Sequence, residues 1–135
     1  MTTMTTSSSP TSTETSTPVR TGLALGALVG AINFAFIFYT GDWGPEEPPF
    51  FLVLVQGLIG LVSVAAAVLA WRTANRKIIR INAAALIVNA LGVVPGVFMD
   101  GPAFIRLASS LLILGTVPAV ILMMRRGRMP AALAA

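Results

Sequence analysis

Four polar side chains, Asn33, Gln56, Asn89 and Ser109, each lie inside a long apolar run of this sequence. Amides and hydroxyls in such places either hydrogen-bond between helices or line a polar cavity for a small neutral solute or a lipid headgroup. Arg106 is the one charge set well inside an apolar run, and a guanidinium there is a candidate contact for a phosphate or carboxylate. Its long stem also reaches towards Asp100, Glu46 or Glu47, which predicts a structurally paired arginine. Asp42, Glu46 and Glu47 crowd one loop without the ligand spacing of a calcium site, so they read as a solvated acidic loop. The chain has no His and no Cys. Thiolate nucleophiles, imidazole acid–base chemistry and the usual zinc sites are therefore excluded. No catalytic, cofactor-binding or metal-ligating set emerges, and the sequence reads as non-enzymatic.

These residues must be positioned by helices in a membrane. Of 135 residues, 56% are hydrophobic and 10% are charged, against about a quarter charged in soluble proteins. Apolar stretches over about 21–40, 50–71, 78–99 and 103–124 are each long enough for a hydrocarbon core of about 30 Å. The expected fold is all-α: a bundle of four transmembrane helices spanning 19–126. A disordered Ser/Thr-rich tail over 1–18 precedes it, and a short tail over 127–135 follows. The first run is too long for a signal-peptide core and lacks a small-x-small cleavage site after it, so it is taken as a helix of the mature chain.

The net charge of +4 invites a nucleic-acid partner, but the positions argue otherwise. Eight of the nine basic residues fall at one side: Arg20, the 72–80 segment and Arg125, Arg126 and Arg128. Four of the five acids, Asp42, Glu46, Glu47 and Asp100, fall at the other. The positive-inside rule then places both termini in the cytoplasm, in one orientation. No nucleic-acid binding is expected.

Packing faces are also legible. Gly22, Gly26 and Gly30 recur every four residues and lead to Asn33, a row that lets helix backbones approach closely. Asn82, Ala85, Asn89, Gly92 and Gly96 form a second small or polar face, which marks the third helix as the expected central packing element. Depth can be counted at about 1.5 Å per residue. Asn33 and Asn89 lie roughly 18 and 16 Å from the basic side, and Gln56 and Ser109 about 9 Å from the acidic side of a 30 Å core. All four helices thus contribute to one polar layer, with Asn82, Ser63 and Thr116 in a second. Asp100 resembles an N-cap for the fourth helix. Pro95 and Pro118 interrupt the helical ladder, and Thr116 is a candidate partner for the Leu114 carbonyl that Pro118 frees. Helices one and three share Gly pairs, a mid-depth Asn and a following acidic Pro-containing turn, a faint repeat of two hairpins.

Gly44-Pro45 and Pro49-Phe50, Ala70-Trp71-Arg72, and Pro95-x-x-Phe98-x-Asp100-Gly101-Pro102 resemble small four-helix integral membrane proteins of actinobacteria over residues 20–126. That resemblance implies a fold and a bacterial cell membrane but no activity. Two functional expectations follow. One is an accessory subunit or self-associating bundle whose partners are the bilayer, other membrane proteins or a second copy. The other is a small-solute transporter or channel that uses the Asn33, Gln56, Asn89 and Ser109 layer.

Overall fold

The computed structural model describes residues 16–45 and 47–125. The expected tails up to residue 15 and from 126 onward, with Glu46, lie outside the described residues. Four α-helices follow in order: α1 (Thr17–Ala35, extended by a 3-10 turn over Phe36–Phe38), α2 (Phe50–Thr73), α3 (Arg76–Phe98) and α4 (Ala103–Met124). Among the described residues there is no strand.

Where the helix ends depart from expectation, capping explains them. α1 starts at Thr17 because Pro18 occupies its first turn, where a missing N–H costs nothing. α2 runs to Thr73 and stops at Ala74, whose φ of 51° is left-handed and whose N–H reaches the Ala70 carbonyl at 2.9 Å. α3 begins at Arg76, two residues early, because Asn75 is its N-cap: Asn75 Oδ1 accepts the Lys77 N–H at 2.9 Å. Asp100 does not cap α4. The N-cap is Pro102 itself, with no side-chain bond, since a residue preceding proline is held out of the helical region. α3 and α4 both continue through their prolines, Pro95 and Pro118.

The helices form a four-membered ring in chain order. α1 and α3 each pack on α2 and α4, and they also touch each other across one diagonal, whereas α2 and α4 stay apart on the other. The glycine row of α1 serves three neighbours. A Cβ on Gly22 would sit 2.8 Å from the Ala119 carbonyl and the Met123 nitrogen of α4, and one on Gly26 would meet Leu86 of α3 at 2.9 Å. Gly30 faces Gly60 of α2, and a Cβ on either would lie 2.6 Å from the other's carbonyl oxygen. α1 and α3 thus each pack on all three other helices, and α1 shares the central packing role expected of α3.

The bundle keeps polar side chains inside, among an apolar core, and presents an apolar exterior. Asn33, Ser63, Asn82, Asn89, Ser109 and Thr116 are buried, while Phe50, Phe51, Leu91, Phe98, Leu107 and Leu114 are among many large apolar side chains left exposed. Lipid is the solvent that suits such a surface, because it needs no polar coat and penalises unsatisfied polar groups. Hydroxyls on the helices follow the same logic: Thr21, Thr73 and Ser110 each bond the carbonyl four residues back, at 3.0, 2.7 and 2.8 Å. Each of the four helices is long and apolar enough to cross a membrane. This is the architecture of a multi-pass membrane protein.

Candidate functional site

Three amides from three helices meet inside the bundle. Asn33 Nδ2 on α1 donates to Asn89 Oδ1 on α3 at 2.5 Å and to the Gln56 carbonyl on α2 at 2.8 Å. Gln56 Nε2 donates to Asn89 Oδ1 at 2.8 Å and to the Asn89 backbone carbonyl. Asn89 is thus the common acceptor, and its carbonyl comes within reach because Gly92, one turn on, has no Cβ. A Cβ there would collide with the Gln56 amide. The Asn33–Asn89 bond spans the contacting α1–α3 diagonal.

A second polar contact ties α2 to α3 and α4. Ser63 Oγ donates to Asn82 Oδ1 at 2.7 Å, and Asn82 Nδ2 points at Met123 Sδ at 3.5 Å. Thr116 does not join it. Its hydroxyl donates to the Leu112 carbonyl at 2.8 Å, so it also does not compensate the Leu114 carbonyl as its position suggested. Around this contact Leu23, Ala70, Leu86, Ala119 and Met123 are completely buried. The centre of this half of the bundle, at the Thr17 end of α1 and the Met124 end of α4, is filled, and a more open groove of about 240 Å³ between α1 and α2, at Ala24, Ala27, Val68 and Trp71, indents its outer face.

The centre of the other half is not filled. A cavity of about 340 Å³ lies between the amide triad and the loops at 39–49 and 99–102, at the small end of the range of roughly 300–1,000 Å³ typical of ligand pockets. Asn33 and Gln56 border it from within, Leu52, Val53, Val93, Ile105 and Leu112 give it an apolar wall, and Trp43 and Arg106 also line it. It occupies the region where α2 and α4 fail to meet.

Ser109 belongs to this cavity and not to the triad. It is 7% exposed and makes no hydrogen bond to the three amides. No fully buried polar side-chain atom among the described residues lacks a partner, so the unbonded Ser109 hydroxyl retains an accessible face, which is the cavity it lines. Gly96 gives it room: a Cβ there would lie 2.6 Å from Ser109 Oγ. Gly92 and Gly96 therefore accommodate side chains of other helices, and Gly92 is exposed; they are not part of a close backbone packing face. Shared depth placed Ser109 with the amides, but azimuth around α4 separates it from them.

With its third expected counterion, Glu46, outside the described residues, Arg106 pairs with neither Asp100 nor Glu47. It is exposed, and among the described residues it has no ion-pair partner; only its backbone carbonyl is engaged, by Ser110. Asp42 instead accepts the Gly44 N–H through Oδ1 at 2.8 Å, in a tight turn. Gly44 has φ +90° and lies against Asp100 and Gly101, so the two loops at this end touch. Tyr39, Trp43, Phe36 and Phe104 cluster beside that contact, with Tyr39 and Trp43 ring centres 5.1 Å apart and Tyr39 and Phe104 5.4 Å apart. At the opposite end Arg20 lies 5.5 Å over the Trp71 ring, and Arg76 Nη2 donates to the Arg125 carbonyl at 3.4 Å.

Fold and site together define a small multi-pass helical membrane protein with an internal amide clamp and a one-sided cavity. No protein-family model matches the chain, and comparisons with curated proteins and with solved structures find no significant match. Val53 and Met123 carried no signal in the sequence, since apolar residues in a membrane helix give no sign of which neighbour they meet. Asn75 did carry one: an Asn placed directly before a helical run is a capping residue by composition alone.

Proposed function

We propose that this protein is a non-catalytic membrane protein that works through contacts within the bilayer, as an accessory subunit or a self-associating bundle. The observation that supports this best is the amide triad: its groups bond to one another across α1, α2 and α3 and present no reactive constellation. The described carboxylates Asp42, Glu47 and Asp100 all lie in loops outside the helices. The basic residues Arg20, Arg72, Arg76, Lys77 and Arg125 gather at the end that carries both chain ends, which supports an orientation with both termini cytoplasmic. The resemblance to small four-helix actinobacterial proteins supports a bacterial cell membrane. Purification from the native membrane in mild detergent tests the reading. It predicts a stable oligomer or a co-purifying membrane protein, and a strictly monomeric, partnerless species contradicts it.

A second reading, a carrier for a small neutral solute, is favoured by the cavity that reaches Asn33 and Gln56 from one side. Against a continuous channel stands the filled core beyond, sealed by Leu23, Leu86 and Met123. Solute flux into liposomes that disappears in Asn89→Leu would put this reading first.

A further inference from the structure

We propose that the cavity at the loop end is a binding site for a membrane glycerophospholipid with a net negative headgroup. In this arrangement the phosphate sits at Arg106 and part of one acyl chain lies against the apolar wall. Four observations carry the assignment. First, Arg106 lines the cavity, is exposed, and has no ion-pair partner among the described residues, so its bidentate donor set is available to a phosphate. Second, Ser109 lies three residues further along α4, on the same helix face. It is more than nine-tenths buried, yet its hydroxyl is unbonded and faces the same space. The two donors are thus stacked one turn apart on one wall. Third, apart from Asn33 and Gln56 at its inner end, the rest of the lining is largely apolar, with Val53, Val93, Ile105 and Leu112, and such a surface favours hydrocarbon over water. Leu52 and Val55 belong both to the wall and to the exposed apolar exterior, so a chain can lie half in the cavity and half in the bilayer. Fourth, among the described residues no Asp or Glu lines the cavity, so none of them receives the ammonium of a zwitterionic headgroup. Net-anionic lipid is the complementary choice.

The proposal rests on the membrane reading above but not on the subunit role; a partnerless monomer would leave it standing. The test is thermal unfolding of the purified full chain in neutral detergent, titrated with phosphatidylglycerol, phosphatidylcholine or inorganic phosphate, with native mass spectrometry to count bound lipid. The expected result is a saturable rise in Tm with phosphatidylglycerol, one lipid bound per chain, and no comparable rise with the other two. In Arg106→Gln the apparent affinity for phosphatidylglycerol falls at least about tenfold, the loss expected when one charge-assisted contact of about 1.5–3 kcal/mol is removed. Val53→Phe, which fills the cavity without touching Arg106, abolishes the bound lipid. Arg125→Gln, at the opposite end, leaves binding unchanged. Equal stabilisation by phosphatidylcholine, equal stabilisation by inorganic phosphate, or undiminished binding in both Arg106→Gln and Val53→Phe overturns the proposal.

Discussion

The two halves of this bundle use small residues to opposite ends. In the half that carries the chain ends, Gly22 and Gly30 of α1 remove side chains so that backbones close on one another, Gly26 admits the Leu86 side chain, and the result is a filled core around Leu23, Leu86 and Met123. In the loop-end half, Gly92 and Gly96 of α3 remove side chains so that the Gln56 amide and the Ser109 hydroxyl fit in their place, and the result is a cavity. The amide triad of Asn33, Gln56 and Asn89 is the partition between them. Glycine content alone therefore does not determine whether helices close or stay open; what the glycine faces decides it. A facing backbone gives contact in lipid, where association depends on close packing. A facing polar side chain, bonded as Gln56 is or unbonded as Ser109 is, leaves space beside it.

Substitutions can break this contrast, and the largest effect should come from the half with the filled core. Gly30→Ala places a Cβ 2.6 Å from the Gly60 carbonyl, and backbone cannot step aside as a side chain can. We expect a loss of about 3 kcal/mol, the upper part of the overpacking range, measured by reversible unfolding in mixed micelles. Asn89→Leu removes the shared side-chain acceptor and leaves Asn33 only the Gln56 backbone carbonyl and Gln56 only the backbone carbonyl of residue 89. Its expected cost is about 1–2 kcal/mol on the membrane hydrogen-bond scale, by the same assay. Ser63→Ala deletes one bond to Asn82 and should cost only about 0.6 kcal/mol, the average for such bonds. Val53→Phe should be smallest, with Tm nearly unchanged, since it grows into existing space; a large destabilisation would mean that the loop-end half is already packed.

The sequence revealed the solvent and the helices more readily than their rotations. Apolar length marks α2 and α4 to within two residues at each end, because a bilayer sets a minimum span. Helix ends that depend on local capping, at Thr17 and Arg76, were legible only through Pro18 and Asn75. Counting depth placed Asn33, Gln56, Asn89 and Ser109 at one level, and three of them are bonded together. Ser109 is separated from them by the azimuth of α4, which a count along the axis does not contain. The same limit applies to Thr116, whose hydroxyl turns back to Leu112 on its own helix. A cavity is the sum of four such rotations, so no single run of residues announces it. Arg106 shows a further limit. Nearness in sequence to Asp100 and in topology to Glu46 and Glu47 suggested an ion pair; Asp100 and Glu47 do not form it, and Glu46 lies outside the described residues.

The central claim, a filled core at one end and a cavity at the other, is most directly tested with two isosteric substitutions, which a cysteine-free chain permits without background. Ser63→Cys lies in the filled core, where Ser63 is 0% exposed and bonded to Asn82. Ser109→Cys lies in the cavity wall. Each is treated with a small maleimide in detergent micelles and the labelling rate is followed by mass spectrometry. The structure predicts that Ser109→Cys labels readily and that Ser63→Cys labels only after unfolding. Equal rates at the two positions, whether both fast or both blocked, would contradict it.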